Sequence, residues 1–228
     1  MEEKIEETRK KGNRYKIIFI ILLIVNIIVI PIIFVVSILF SGITPMEKPI
    51  IYLYPKQETS VTVKLGAPYK VLHSYPKYTE EGWHVIAKPD GTLTDSKTGR
   101  ELYSLYWEGK GTTEAKTNDG FVVKGKDTAS FLEEKLKILG LNSKESEEFI
   151  IYWLPRLENN KYNYIRFASM DEINTYMPLE FSVQPDSIIR VLMQYKKLNN
   201  YIEIPEQKLS TPERTGFVAV EWGGTEIK

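Results

Sequence analysis

Two short pairings of an aromatic ring with a carboxylate are the residues here best suited to chemistry: Trp107-Glu108 and Glu221-Trp222. Each sits at the end of an apolar, strand-like run. Cleaving a glycosidic bond takes two carboxylates flanking it, one as acid and one as base or nucleophile, and neighbouring rings can hold the sugar. Glu108 and Glu221 are therefore the candidate catalytic residues, and Trp107 and Trp222 candidate ligand contacts. Against this, thirty acidic residues make such pairs common by chance, and tryptophan at a strand end usually serves packing. Arg190, inside the apolar run Ile188–Met193, is a further candidate ligand contact or a buried ion-pair partner. A strand residue facing solvent is the plainer expectation for it.

Other chemistries find little support. The chain has no cysteine, which excludes disulfides, thiolate nucleophiles and zinc–thiolate or iron–sulfur sites. His73 and His84 are the only histidines, and both read as strand residues with no carboxylate set to complete a metal site. GxSxG, P-loop, HExxH and GxGxxG patterns are absent. Asn118-Asp119-Gly120 lacks the spaced ligands of a calcium loop and reads as a hairpin turn. No cofactor and no metal are expected. Lys+Arg and Asp+Glu balance at 30 each, so nothing favours nucleic acid as a partner.

The charge is unevenly placed. Residues 1–16 carry six basic residues against four Glu, a net +2, leaving the rest at −2. Residues 17–40 then run uncharged and almost wholly apolar. At 1.5 Å per residue such a segment is long enough for a roughly 30 Å hydrocarbon core. The expectation is a basic cytoplasmic tail (1–16), a retained single-pass signal-anchor helix in the lipid bilayer (17–40) and a short connector (41–48). An extracytoplasmic domain (49–228) follows, oriented by the positive flank.

Within that domain, residues 49–125 read as strands. Val61, Val63 and Leu65 alternate with polar neighbours, as do Trp83, Val85 and Ala87, and Pro89-Asp90-Gly91 marks a turn. Leu102–Trp107 and Phe121–Val123 are further strands. Residues 127–158 change to helical spacing. Phe131, Leu132, Leu136 and Leu139 share one helix that Gly140 is placed to end. Asn142 or Ser143 can cap a second helix, Asn142 with Glu145 matching capping-box spacing in a weaker form, and the face of that helix is Phe149, Ile150, Trp153 and Leu157. Strands return at Tyr162–Phe167, Leu179–Val183, Ile188–Met193, Tyr201–Ile204 and Phe217–Trp222. This order predicts an α+β fold: an antiparallel, β-rich domain with two helices, preceded by one transmembrane helix. The two ends of the domain, Ile50–Tyr54 and Phe217–Glu221, are expected as neighbouring strands, with Trp222 near Tyr52 or Tyr54.

The segments Lys48–Pro55 (KPIIYLYP), Gly82–Gly91 (GWHVIAKPDG), Glu148–Glu158 (EFIIYWLPRLE) and Phe217–Gly224 (FVAVEWGG), with YPKY, YSLYWEG and PDSIIRVLM between them, together resemble a family of uncharacterised, mainly bacterial proteins, some membrane-anchored. The resemblance spans about residues 48–224. It implies one cooperative domain and brings no activity, substrate or site residue with it. The expected function is an envelope binding or interaction module for a protein, peptide or glycan. The alternatives are a carboxylate-dependent envelope hydrolase acting on glycan or peptide, and a structural factor in a membrane assembly.

Overall fold

The computed structural model describes residues 1–30, 32, 43–66, 70–112 and 116–227. They fall into two compact units, Met1–Gly42 and Ile43–Lys228. In the first, helix α1 (Glu2–Ile24) runs into a π-helical turn at Val25–Val29, and Asn26 donates from its side chain to the Leu22 carbonyl at 2.8 Å. The transmembrane helix expected over 17–40 is corrected here: among the described residues, no helix is long and apolar enough to cross a membrane. The helix begins inside the charged tail, so residues 2–16 of α1 hold six basic and four acidic side chains. Of the apolar run, residues 17–30 are described as continuous helix, α-helical to Ile24, π-helical over Val25–Val29 and α-helical again at Ile30, a rise of about 21 Å against a roughly 30 Å core. Residues 31 and 33–40 of the expected span lie outside the described residues, as do 41–42 of the connector. The membrane, single-pass and signal-anchor descriptions are corrected with it.

The second unit is α+β. Its described strands are β1 (Ile43–Tyr54), β2 (Thr59–Leu65), β3 (Lys70–Tyr75), β4 (Trp83–Ala87), β5 (Leu93–Asp95) and β6 (Glu101–Leu102). They continue with β7 (Leu105–Thr112), β8 (Phe121–Lys124), β9 (Tyr162–Phe167), β10 (Leu179–Phe181), β11 (Ser187–Leu198) and β12 (Val218–Glu226). Helices α2 (Thr128–Ile138) and α3 (Ser143–Leu157) sit between β8 and β9, and α4 (Met170–Tyr176) follows β9. One sheet has the order β3-β7-β1-β12-β11-β9-β8 and the other β10-β2-β4-β5-β6.

The large sheet is the middle layer. On one face, Ile50, Val191, Val220 and Trp222 pack with Leu132 and Leu136 of α2 and with Phe149 and Trp153 of α3. On the other, Ile51, Leu53, Leu105 and Trp107 pack with Val61, Val63, Trp83 and Val85 of the small sheet and with Ile173 of α4. The two predicted helices form for the reasons expected. Gly140 takes φ 86° after α2, where a β-carbon would be strained. Asn142 and Glu145 complete a capping box at α3. Arg214 then clamps the buried Glu145 with two bonds of 2.9 and 3.0 Å.

Four details differ from expectation. The large sheet is mixed, because β11 and β12 run parallel. Asn118-Asp119-Gly120 is no hairpin turn, because β7 pairs with β1 and β3 while β8 pairs with β9. Its Asp119 carbonyl accepts from Tyr164 and its carboxylate pairs with Arg166. Tyr201–Ile204 is not a strand, and α4 is a third helix in this unit, beyond the two expected.

The chain ends do meet. β1 and β12 are antiparallel neighbours with Tyr52 opposite Val220, and Trp222 Nε1 donates to the Tyr52 hydroxyl at 3.2 Å.

Candidate functional site

Strand alternation decides where the candidate residues go. One cross-strand row reads Leu105, Ile51, Glu221, Arg190, and the next reads Tyr106, Ile50, Trp222, Val191. Successive rows face opposite ways. Trp107 and Glu221 therefore point between the sheets, whereas Glu108 and Trp222 point to the helix side.

Between the sheets, Trp107, Arg190 and Glu221 come together. Arg190 donates from Nε and Nη2 to Glu221 Oε2 at 2.8 and 2.6 Å. Trp107 Nε1 donates to Oε1 at 3.1 Å, and Asn174 of α4 accepts from Arg190 Nη1 at 2.9 Å. The Arg190 and Glu221 side chains are 1% and 4% exposed. Both carboxylate oxygens are occupied, and the gap beside the pair is too narrow for a water molecule. This arrangement satisfies a buried charge and leaves no path for a ligand. Trp222 is enclosed against Phe149, ring centroids 5.3 Å apart, and touches no cleft.

The helix side holds an open cleft of about 530 Å³. Four tyrosines line it: Tyr75, Tyr103, Tyr106 and Tyr152. Lys48, Glu101 and Glu108 supply its charges. Glu108 is thus brought to a ligand-accessible surface on the face opposite Glu221, and the two carboxylates do not converge. His73 and His84 lie in different sheets, both exposed, and His84 Nδ1 bonds to Thr62 Oγ1 at 2.8 Å. Among the described residues, no group of acidic and histidine side chains is arranged to hold a metal.

A bulge in β1 aims Lys48 at the cleft. Met46 and Ile51 both face the small sheet although five positions apart, which unbroken alternation forbids. The extra residue is absorbed between Glu47 and Ile50, where Lys48 takes φ 50°. Lys48 alone among the described non-glycine residues has positive φ, and it precedes a proline, which further restricts it. Its ammonium lies 4.8 Å from the Tyr152 ring.

The tyrosines are held before any ligand arrives. Arg100 donates to the Tyr75 hydroxyl at 2.6 Å. Lys144 lies 4.6 Å from the Tyr103 ring and Arg156 4.1 Å from that of Tyr152. Burial raises the phenols of Tyr103 and Tyr106, helped by Glu148 and Glu108 respectively. Burial also pushes Tyr152 up to about 12, with Arg156 opposing and Glu47 adding to the rise. These phenols stay neutral near pH 7, each able to donate and accept.

The chain matches no family model, no curated protein and no solved structure.

Sequence reasoning picked out Glu108 but missed the tyrosines around it. They come from β3, the β6–β7 connection, β7 and α3, and no spacing in the sequence links them. The available signal was YSLYWEG, where Tyr106 and Glu108 share one strand face.

Proposed function

We propose that the domain formed by Ile43–Lys228 is a binding module whose ligand occupies the tyrosine-lined cleft. The observation that carries this reading is the cleft's lining. Four pre-positioned tyrosines and charges of both signs face solvent beside a backbone distortion that serves to present Lys48. Apolar clefts with a few convergent polar groups are where small ligands and chain segments bind, and strain away from the core is a pointer to function. Hydrolysis by Glu108 and Glu221 acting together is disfavoured, since the sheet separates them and Glu221 is already saturated. A purely structural role would not call for exposed tyrosines fixed around an open cavity.

The test is a ligand screen on the full chain with ¹³C-labelled tyrosine, using mixtures of oligosaccharides and short peptides. The reading predicts binders that shift the signals of Tyr75, Tyr103, Tyr106 and Tyr152. Binders that move only Tyr162 and Tyr201, or a screen without saturable binders, would contradict it.

A further inference from the structure

We infer that the cleft takes a neutral oligosaccharide, with pyranose rings stacked on Tyr75 and Tyr103 and their hydroxyls bonded by Lys48, Glu101 and Glu108; this rests on the cleft being the binding site. Tyr75 and Tyr103 are 50% and 52% exposed, and both line the cleft. Arg100 and Lys144 already contact these rings, and side chains partly fixed beforehand lose less entropy on binding. A pyranose offers a flat C–H face bordered by hydroxyls. The face suits an aromatic ring, and the hydroxyls, which both donate and accept, suit a lining with donors and acceptors together. The cleft has both: an ammonium and neutral phenols as donors, two carboxylates as acceptors.

Charge argues against other ligand classes. An anionic ligand would meet Glu101 and Glu108. A cationic one would be repelled by Lys48 in the cleft and by Lys144 and Arg156 beside the Tyr103 and Tyr152 rings. A peptide adding as a strand needs an open sheet edge. The strands that carry Ile50, Tyr106 and Glu108 are interior, each paired on both sides, while β3, with Tyr75, and β6, with Glu101 and Leu102, are the edge strands of their sheets. At about 530 Å³ the cleft has room for a short oligosaccharide.

Isothermal titration of the full chain tests this against three kinds of probe. These are neutral oligomers of glucose, N-acetylglucosamine and mannose, an acidic oligogalacturonate, and a polyproline peptide. At least one neutral oligomer should bind saturably. Tyr103→Ala and, separately, Tyr75→Ala should weaken it by about tenfold or more, with the melting temperature held. Raising salt from about 50 to about 500 mM should change the affinity less than about twofold, because no net charge is paired. Binding of only the oligogalacturonate or only the peptide, weakened by Tyr103→Ala, would overturn the ligand class and leave the cleft standing. Neutral binding unaffected by both tyrosine variants, or no neutral binding, would overturn the inference. The tyrosine-resolved screen then decides the cleft independently.

Discussion

Glu221 and Glu108 each neighbour a tryptophan in sequence, yet the two environments are opposites. Around Glu221, every polar group finds a partner inside the protein, and the space left is too small for water. Around Glu108, tyrosines, Lys48 and Glu101 face an open cavity. One middle sheet makes the difference. In β7 the tryptophan comes before the glutamate and in β12 after it, so alternation buries one carboxylate and presents the other. Two like motifs thus end in separate settings, one buried between the layers and one facing an open cleft.

The Glu221–Arg190 pair should be the costliest place to break, ahead of Gly224 and Asn142 on the helix side. Arg190→Leu leaves Glu221 charged and without its main partner, and should lower stability by about 3–5 kcal/mol, read from urea unfolding. A smaller loss would mean that water reaches the pair. Gly224→Ala places a β-carbon 2.6 Å from the Trp153 ring, and should cost about 1–3 kcal/mol by overpacking. Asn142→Ala removes the cap of α3 and should cost about 1 kcal/mol in the same assay.

Acid should act on a third charged cluster. Burial resists ionisation of Glu172, but the Ser169 N–H and Arg166 outweigh it and hold the carboxyl down to about 2, against an ordinary 4.5. A carboxyl lowered on folding stabilises fully above its unfolded value, and loses that contribution as pH falls through the folded one. Between about pH 4.5 and 2 the wild type should therefore lose more stability than Glu172→Gln, compared by urea midpoints. Parallel losses would remove Glu172 from the account. The smallest effect on stability is expected in the cleft: Tyr103→Ala should change it by no more than about 0.5 kcal/mol, while lowering ligand affinity.

Much of the fold was legible because its signals are local. Asn142 and Glu145 announce α3, Gly140 ends α2, and the alternation at Val61–Leu65 and Trp83–Ala87 reads directly as half-buried strand. Helix α4 was missed although Ser169 and Glu172 form a capping box, since seven residues give little periodicity. Alternation also cannot say which sheet a strand joins, so the second layer and the parallel β11–β12 pairing stayed hidden. The apolar run 17–40 suggested a spanning helix, but no helix among the described residues is long and apolar enough to cross a membrane, and residues 31 and 33–40 lie outside them. The candidate residues were individually visible, but their grouping was not. Trp107, Glu221 and Arg190 meet through register, and the cleft tyrosines meet only after α3 has packed beside β1 and β7.

Equilibrium unfolding of Glu221→Gln and Glu108→Gln, measured side by side, tests the division most directly. The account predicts that Glu221→Gln loses about 3 kcal/mol or more, because a buried guanidinium is left without its counter-charge. Glu108→Gln should stay within about 0.5 kcal/mol of wild type. Equal losses, or a neutral Glu221→Gln, would contradict it.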